Sequence, residues 1–599
     1  TSSSGEMRNG TNVVIADNAY VERGVYGGGG YGFTNATSNI YVTGGEVGGV
    51  YEGAVPGGVY GGAQQNKGGN VNIYMTGGKV LGGVFGGSNS AGTLSGSVTM
   101  QINGGQVGTE KTPASIHGGG YGTSTQVSGD VDITLGQMGV DPAVTPGVTV
   151  YGNVYGGSAL GKVNGSNGAT SAIVTTRHTN VTVNSGSVFR EKYPETAGVY
   201  KYGYVFGGGM GDGSNNNGIV DGLINVVINS TDPAPTGSLN KYALYGVFGG
   251  GDAAPYNGTP NLTINNCSNS IEYVYGGGNK ASVAGSNVKI HGGNVIGNVF
   301  GGGNAANVTG NVHINIEGGT ILNLFGGNNA SGTVSGNIVL NVNQRDYTES
   351  SCPINIGYLY GGGNRADSKV ATMNIYYADN IDYVFGGAKA ANMTGNINLN
   401  IVAGNIGTVF GGNDSGGAID GKINVKVNWD ESENKTITFD DGTTFPAVTF
   451  LRENNSLENV YGGGNVANYG TATKPGQIEV KVLNADMTGN VFGGGKEATV
   501  TGTTEVTIGD WNPEHIVYIK KDVYGGGDQA GVTKGTTVTV NDCSTFIEGD
   551  VYGGGNAAPV GTATAPAGTN VTIWGGSINK VFGGGHGYPE YTPPVGADI

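Results

Sequence analysis

Apolar and polar residues alternate in short blocks along the chain. In Asn311-Val312-His313-Ile314-Asn315-Ile316, the apolar Val312, Ile314 and Ile316 alternate with His313 and Asn315. A period of two predicts a half-buried strand. Gly318-Gly319 then breaks the strand. Ile321 and Leu324 follow three apart, around a bend, and lead into Phe325-Gly326-Gly327. Val308, alone between Asn307 and Thr309, predicts a third and shorter strand. The unit Val299 to Asn323 thus reads as three short strands joined by three glycine- or asparagine-rich corners.

The same unit recurs. An aliphatic residue, then Tyr or Phe, then two or three glycines, often then Asn or Asp, appears in clear copies from Val25 to Val581. Ile116-His117-Gly118-Gly119-Gly120 is a degenerate copy, and Val50-Tyr51-Glu52-Gly53 reads as a weaker one. Val274, Val299 and Leu324 stand at intervals of about 25 residues, as do Leu359, Val384 and Val409. Elsewhere the interval grows to about 30–50, as insertions into a repeating unit would make it. The long interval from Val409 to Val460 is read as holding a second, degraded unit.

One such unit cannot bury its apolar side alone, but stacked units can. Each strand then pairs in parallel with its counterpart about 4.8 Å away. Glycine and asparagine collect where tight corners need positive φ. The prediction is an all-β fold: a parallel, three-sided β-solenoid of about 18 rungs with loop insertions, a rod on the order of 85 Å long. A strict six-residue period, the mark of a left-handed solenoid, is missing, and the crossover rule favours right-handed winding. Packed polyglycine-II helices are the competing architecture, disfavoured because period-two strands interrupt the glycine runs. Residues 1–585 are read as a single solenoid of ~25-residue repeats, and 586–599 as a linker or the start of a following segment.

Composition narrows the picture. Glycine supplies 121 of 599 residues, and only 12% are charged. That much glycine excludes a helical protein. The absence of a three-residue glycine period excludes collagen. Plentiful β-branched and aromatic residues argue against disorder. A net charge of −16 leaves no basic face for nucleic acid. No apolar run is long enough for a membrane-spanning helix. Three cysteines rule out a disulfide framework. They read as small buried hydrophobes, with Asn266-Cys267-Ser268 and Asp542-Cys543-Ser544 at equivalent places in the repeat. A start at Thr1-Ser2-Ser3 and an end on Pro593-Pro594-Val595 read as a processed or partial polypeptide.

The aliphatic–aromatic–triple-glycine phrase, with strand blocks such as Asn311 to Ile316, resembles glycine-rich repeat regions of large bacterial surface proteins. More broadly it resembles parallel β-helix adhesin and passenger domains of pectin-lyase-like architecture, a plan shared by phage tail fibres. The resemblance covers nearly the whole chain. It implies export and display, at a bacterial cell surface or on a phage virion.

Two ladders are the candidate sites. Tyr275, Phe300, Phe325, Tyr360, Phe385 and Phe410 occupy one position of successive units. They read either as packing or as an outward stripe for glycans or a partner fibre. Strand alternation sets them opposite the adjacent aliphatic residue, so one of the two rows faces outward unless a corner intervenes. Asn279, Asn304, Asn364, Asn465 and Asn556, with Asp252 and Asp528 in the same place, read as a structural amide ladder. Gly-Gly-Gly-Asp faintly echoes a calcium-binding nonapeptide, but calcium needs a tandem nine-residue spacing that these repeats lack. No cofactor is expected. The six histidines, His117, His178, His291, His313, His515 and His586, show no metal-ligand spacing. The acidic cluster Asp430, Glu431, Glu433, Asp440 and Asp441 reads as a solvated insertion rather than a catalytic carboxylate pair.

The expectation is a non-enzymatic, extracellular structural or adhesive rod: a surface fibre, stalk or filament subunit. End-to-end self-association or binding to other surface proteins would suit it. The alternatives are a carbohydrate-binding adhesin or phage tail fibre and, behind them, a polysaccharide-degrading enzyme.

Overall fold

The computed structural model describes residues 6–48, 57–109, 111–140, 147–165, 172–188, 203–214, 217–232, 242–344, 352–429, 436–438, 444–446 and 455–587. Every regular element among them is a β-strand. The chain divides into two compact units, Thr1–Gly310 and Asn311–Ile599. Each is an all-β parallel solenoid.

In the first unit one face is built from five-residue blocks that alternate inward and outward. Ser38–Val42, Val71–Met75, Val98–Ile102 and Val131–Leu135 pair in parallel without slippage. Ile40, Ile73, Met100 and Ile133 therefore share one line. All four are buried, as are their equivalents Val181, Val226, Leu262 and Val288. A one-residue slip would turn this apolar row to water, so burial fixes the register. A second face carries the aliphatic–aromatic phrase, as in Val59–Tyr60, Val84–Phe85 and Val154–Tyr155. A third face is short. Ala91–Leu94 pairs with Ser124–Val127, and single bridges such as Val283 to Val308 continue it.

The second unit repeats the plan. Val312–Ile316, Ile338–Asn343, Ala371–Tyr377 and Ile397–Ile401 form its alternating face. Gly319–Phe325, Ile354–Tyr360, Asn380–Phe385 and Asn405–Phe410 form its aromatic face. Val334, Ser368, Met393 and Ile419 bridge along the short face. Val312, Ile314 and Ile316 are buried, as their alternation predicts.

The corner between the alternating and aromatic faces calls for a left-handed residue. Gly404 takes it with φ of 113°, and Asn266 and Asp542 take it with 62° and 48°. Asn and Asp tolerate that region better than other side-chain-bearing residues. Insertions gather at corners, where no ladder is interrupted. Phe410 pairs directly with Tyr461, so the interval after Val409 holds no extra rung, contrary to the sequence expectation. An antiparallel pair, Thr436–Thr438 with Thr444–Pro446, lies in it instead. The weak copy at Val50 and the acidic residues Asp430, Glu431, Glu433, Asp440 and Asp441 lie outside the described residues.

Cys352 is buried, as the small-hydrophobe reading has it, but the cysteines otherwise depart from that reading. Cys267 and Cys352 are each disulfide-bonded, and Cys543 is an exposed free thiol. The matching contexts of Cys267 and Cys543 do reflect equivalent places, since each follows a residue with positive φ.

Candidate functional site

The aromatic rings form a stack in each unit. In the first unit it runs Tyr26, Tyr60, Phe85, His117, Tyr155, Phe206, Phe248, Tyr275 and Phe300. Centroid spacings range from 4.4 Å at Phe248–Tyr275 to 5.2 Å at Tyr26–Tyr60. In the second unit it runs Phe325, Tyr360, Phe385, Phe410, Tyr461, Phe492, Tyr524, Tyr552 and Phe582, at 4.7 to 5.0 Å. Tyr275, Phe300, Phe325, Tyr360, Phe385 and Phe410 are all buried. Their aliphatic neighbours, from Val274 to Val409, are buried too. The chain bends at the glycines, and the turn that follows folds over the rings. Tyr121, Leu160 and Met210 pack there against Tyr60, Phe85 and Ala159.

Ring faces so covered cannot meet a sugar. Their phenols reach acceptors at the edge of the stack: Tyr524 donates to Asp522 at 2.9 Å and Tyr552 to Asp550 at 3.1 Å. Burial, followed by the Asp550 hydrogen bond, pushes the Tyr552 hydroxyl up to about 12. Burial alone holds the His117 imidazole down at about 3, so it is neutral.

The Asn/Asp ladder passes amide hydrogen bonds from rung to rung. Asn279 donates to Asp252 at 2.7 Å, and Asn304 to Asn279 at 2.8 Å. In the second unit Asn364 donates to Asn329, Asn465 to Asp414 and Asn556 to Asp528, each at 2.9 Å. Burial lifts the Asp252 carboxyl above its ordinary range, and the Asn279 amide opposes that rise. Among the described residues no group of three His, Cys, Asp or Glu side chains converges as a metal site would require.

A further ladder went unread in the sequence. Asn315, Asn341, Asn374 and Asn400 stand on the polar side of the alternating face, and Asn341, Asn374 and Asn400 each donate Nδ2 to the Oδ1 of the one before at 2.9 Å. Asn39 and Asn72 do the same in the first unit. The signal was present: asparagine recurs at one polar position of consecutive blocks.

The remaining histidines are dispersed. His178 lies 3.2 Å from Asp132, and His586 lies 3.0 Å from Asn556. His313 is half-buried on the strand Val312–Ile316, and His291 is half-buried at the bend after Ser286–Ile290. His515 contacts Asp510 at 2.9 Å and belongs to an unusual corner of the second unit.

That corner, Gly509 to Ile516, joins strands Gly502–Ile508 and Val517–Ile519. The next rung crosses the same corner with only Asn541 to Ser544, and the one after with Trp574 to Gly576. The longer loop therefore projects beyond its neighbours. At its tip Trp511 is 59% exposed and has φ of 67°. A bulky residue in that region costs of order 1–3 kcal/mol, held only when its surroundings dictate it. Here Trp511 N–H donates to Asp542 Oδ2 at 3.1 Å. Asn512 N–H donates to Asp510 at 3.2 Å, and His515 N–H to the Asn512 carbonyl at 3.0 Å. Trp574 lies on the last described rung, where Ile573, Val581 and Phe582 are exposed as well, and donates its N–H to Val540 at 2.8 Å.

No helix among the described residues is long and apolar enough to cross a membrane. No protein-family model matches the chain, and neither a curated protein nor a solved structure matches it.

Proposed function

We propose that the chain is a structural or adhesive component of an extracellular fibre: a stalk, surface fibre or filament subunit of a bacterial cell or phage virion. The observation that carries this reading is where the recurring chemistry of the repeat is invested. The rings meet rings and the asparagines meet asparagines, nine ring positions deep in each unit. These contacts run along the stacking direction and resist its extension. The disulfide-bonded Cys267 and Cys352 suit an oxidising compartment. The acidic, patch-poor composition suits a solvated fibre. The role needs no cofactor and no catalytic group.

Electron microscopy of the purified full chain tests the proposal. Elongated particles, or filaments that lengthen with concentration, are the expected outcome. Compact particles at every concentration overturn it.

A further inference from the structure

We propose that Tyr358 and Tyr383 are an oxidative cross-linking site, at which a one-electron oxidant joins their rings into a dityrosine. This goes beyond the structural role: it is a covalent modification, and a fibre can be built without it.

The two residues are register partners on the parallel strands Ile354–Tyr360 and Asn380–Phe385. Parallel pairing in register sends both side chains from the sheet in one direction. Their ring centroids lie 5.1 Å apart, with 11° between the planes. Like atoms therefore face one another, ortho carbon toward ortho carbon. Both rings are at the surface, 38% and 40% exposed. That exposure belongs to the outward side of the strands and not to an end of the stack, because the row continues on both sides. Asn323 precedes Tyr358 and Thr408 follows Tyr383. Those side chains are short, and Gly357 and Gly407 beside the row bring none. Among the described residues no hydrogen bond holds either hydroxyl.

Stacking alone does not make such a site. Tyr524 and Tyr552 lie as close, at 4.9 Å and 7°. They are buried, and their hydroxyls donate to Asp522 and Asp550. An oxidant cannot reach them, and a tethered ring cannot slide toward its neighbour. Tyr358 and Tyr383 are both reachable and untethered.

The electrons balance with hydrogen peroxide as the acceptor and a haem peroxidase as the one-electron carrier. Each phenol gives up one electron and its hydroxyl proton, leaving a ring radical. A carbon–carbon bond forms between the two ortho positions. Each ortho hydrogen then moves to the oxygen of its own ring and restores the phenol. The two electrons and two protons that left reduce one peroxide to two waters. The new bond ties one rung to the next and constrains the unfolded chain as a disulfide does.

Oxidation of the intact chain at low protein concentration tests the proposal. Peroxide and peroxidase are supplied until Tyr31, which is 70% exposed, is consumed. Digestion and mass spectrometry should then find two peptides joined through Tyr358 and Tyr383, together lighter by two hydrogen atoms. Their yield should not depend on protein concentration, as a bond within one chain requires. Tyr358→Phe and Tyr383→Phe each remove a hydroxyl that no neighbour uses, so both should melt like the parent and lose the linked pair. Tyr41 and Tyr74 stack alike in the first unit, so the linked peptides, and not total dityrosine fluorescence, give the answer. Consumption of Tyr31 without the Tyr358–Tyr383 link, a link whose yield rises with protein concentration, or one that survives either substitution overturns the proposal. None of these outcomes touches the fibre proposal, which the particle shape tests.

Discussion

His117 takes a ring position that Tyr or Phe holds in the other rungs, stacked at 4.8 Å on both Phe85 and Tyr155. Its Nδ1 is buried without a hydrogen-bond partner. Because burial lowers its folded-state value to about 3, below the ordinary ~6.5, the unfolded chain takes up the proton first. Its stability contribution is therefore intact above pH ~6.5 and shrinks as pH falls toward about 3, by up to about 1.4 kcal/mol per pH unit. His117→Phe should remove that loss. The gap between the denaturation midpoints of the two proteins should be constant above pH ~6.5 and widen in the variant's favour below pH ~6. The first glycine after each ring is equally constrained. A methyl on Gly276 would overlap the Gly301 carbonyl oxygen of the next rung, and one on Gly361 that of Gly386. Gly361→Ala should cost at least ~1–3 kcal/mol in urea unfolding, since the obstacle is a paired backbone.

Elements hold together by shared register, and here the amide ladders are as informative as the apolar rows. Asn374 donates to Asn341 and accepts from Asn400. Asn374→Asp keeps the acceptor, loses the donor and sets a negative charge against the Asn341 oxygen. The expected cost is about 1–2 kcal/mol at neutral pH, recovered in part below pH ~4 as the carboxyl regains a proton to donate. Urea melts at the two pH values check it. The strands themselves were legible in the sequence: Val312, Ile314 and Ile316 announce their inward face by alternation alone. The ring stack was legible as a ladder, because its phrase recurs at fixed intervals. Its direction was not. Period two allows only one of Val274 and Tyr275 inside, whereas the glycine bend and the turn beyond it bury both. The Trp511 corner was illegible for a different reason. It lies in an insertion, where no repeat constrains the reading, and its shape rests on one backbone angle and a bond to the neighbouring rung.

At the scale of the whole molecule, repetition makes stability a sum over neighbours rather than a property of one core. Removing one complete period should therefore be tolerated. Deletion of residues 360–384 joins Leu359 to Phe385 and restores the aliphatic–aromatic phrase without a seam. The shortened chain should keep a cooperative β-sheet circular dichroism melt. Deletion of about half a period from the same point leaves one rung without its strand partners and should weaken or split that transition.

Corners, by contrast, answer to no neighbour. The crossing between the alternating and aromatic faces is made by three residues in one rung and by a projecting loop two rungs away, yet the alternating-face ladder stays in register and the aromatic-face ladder slips only between Ile547 and Asp550. Gly561–Thr562 and Ala565–Pro566 even fold a small antiparallel pair at another corner of the second unit. The scaffold thus separates what must stay constant from what is free to diversify. Foreign peptides spliced at such crossings would be carried outward at spacings set by the rungs, as beads on a ruled bar, without renegotiating the framework that bears them.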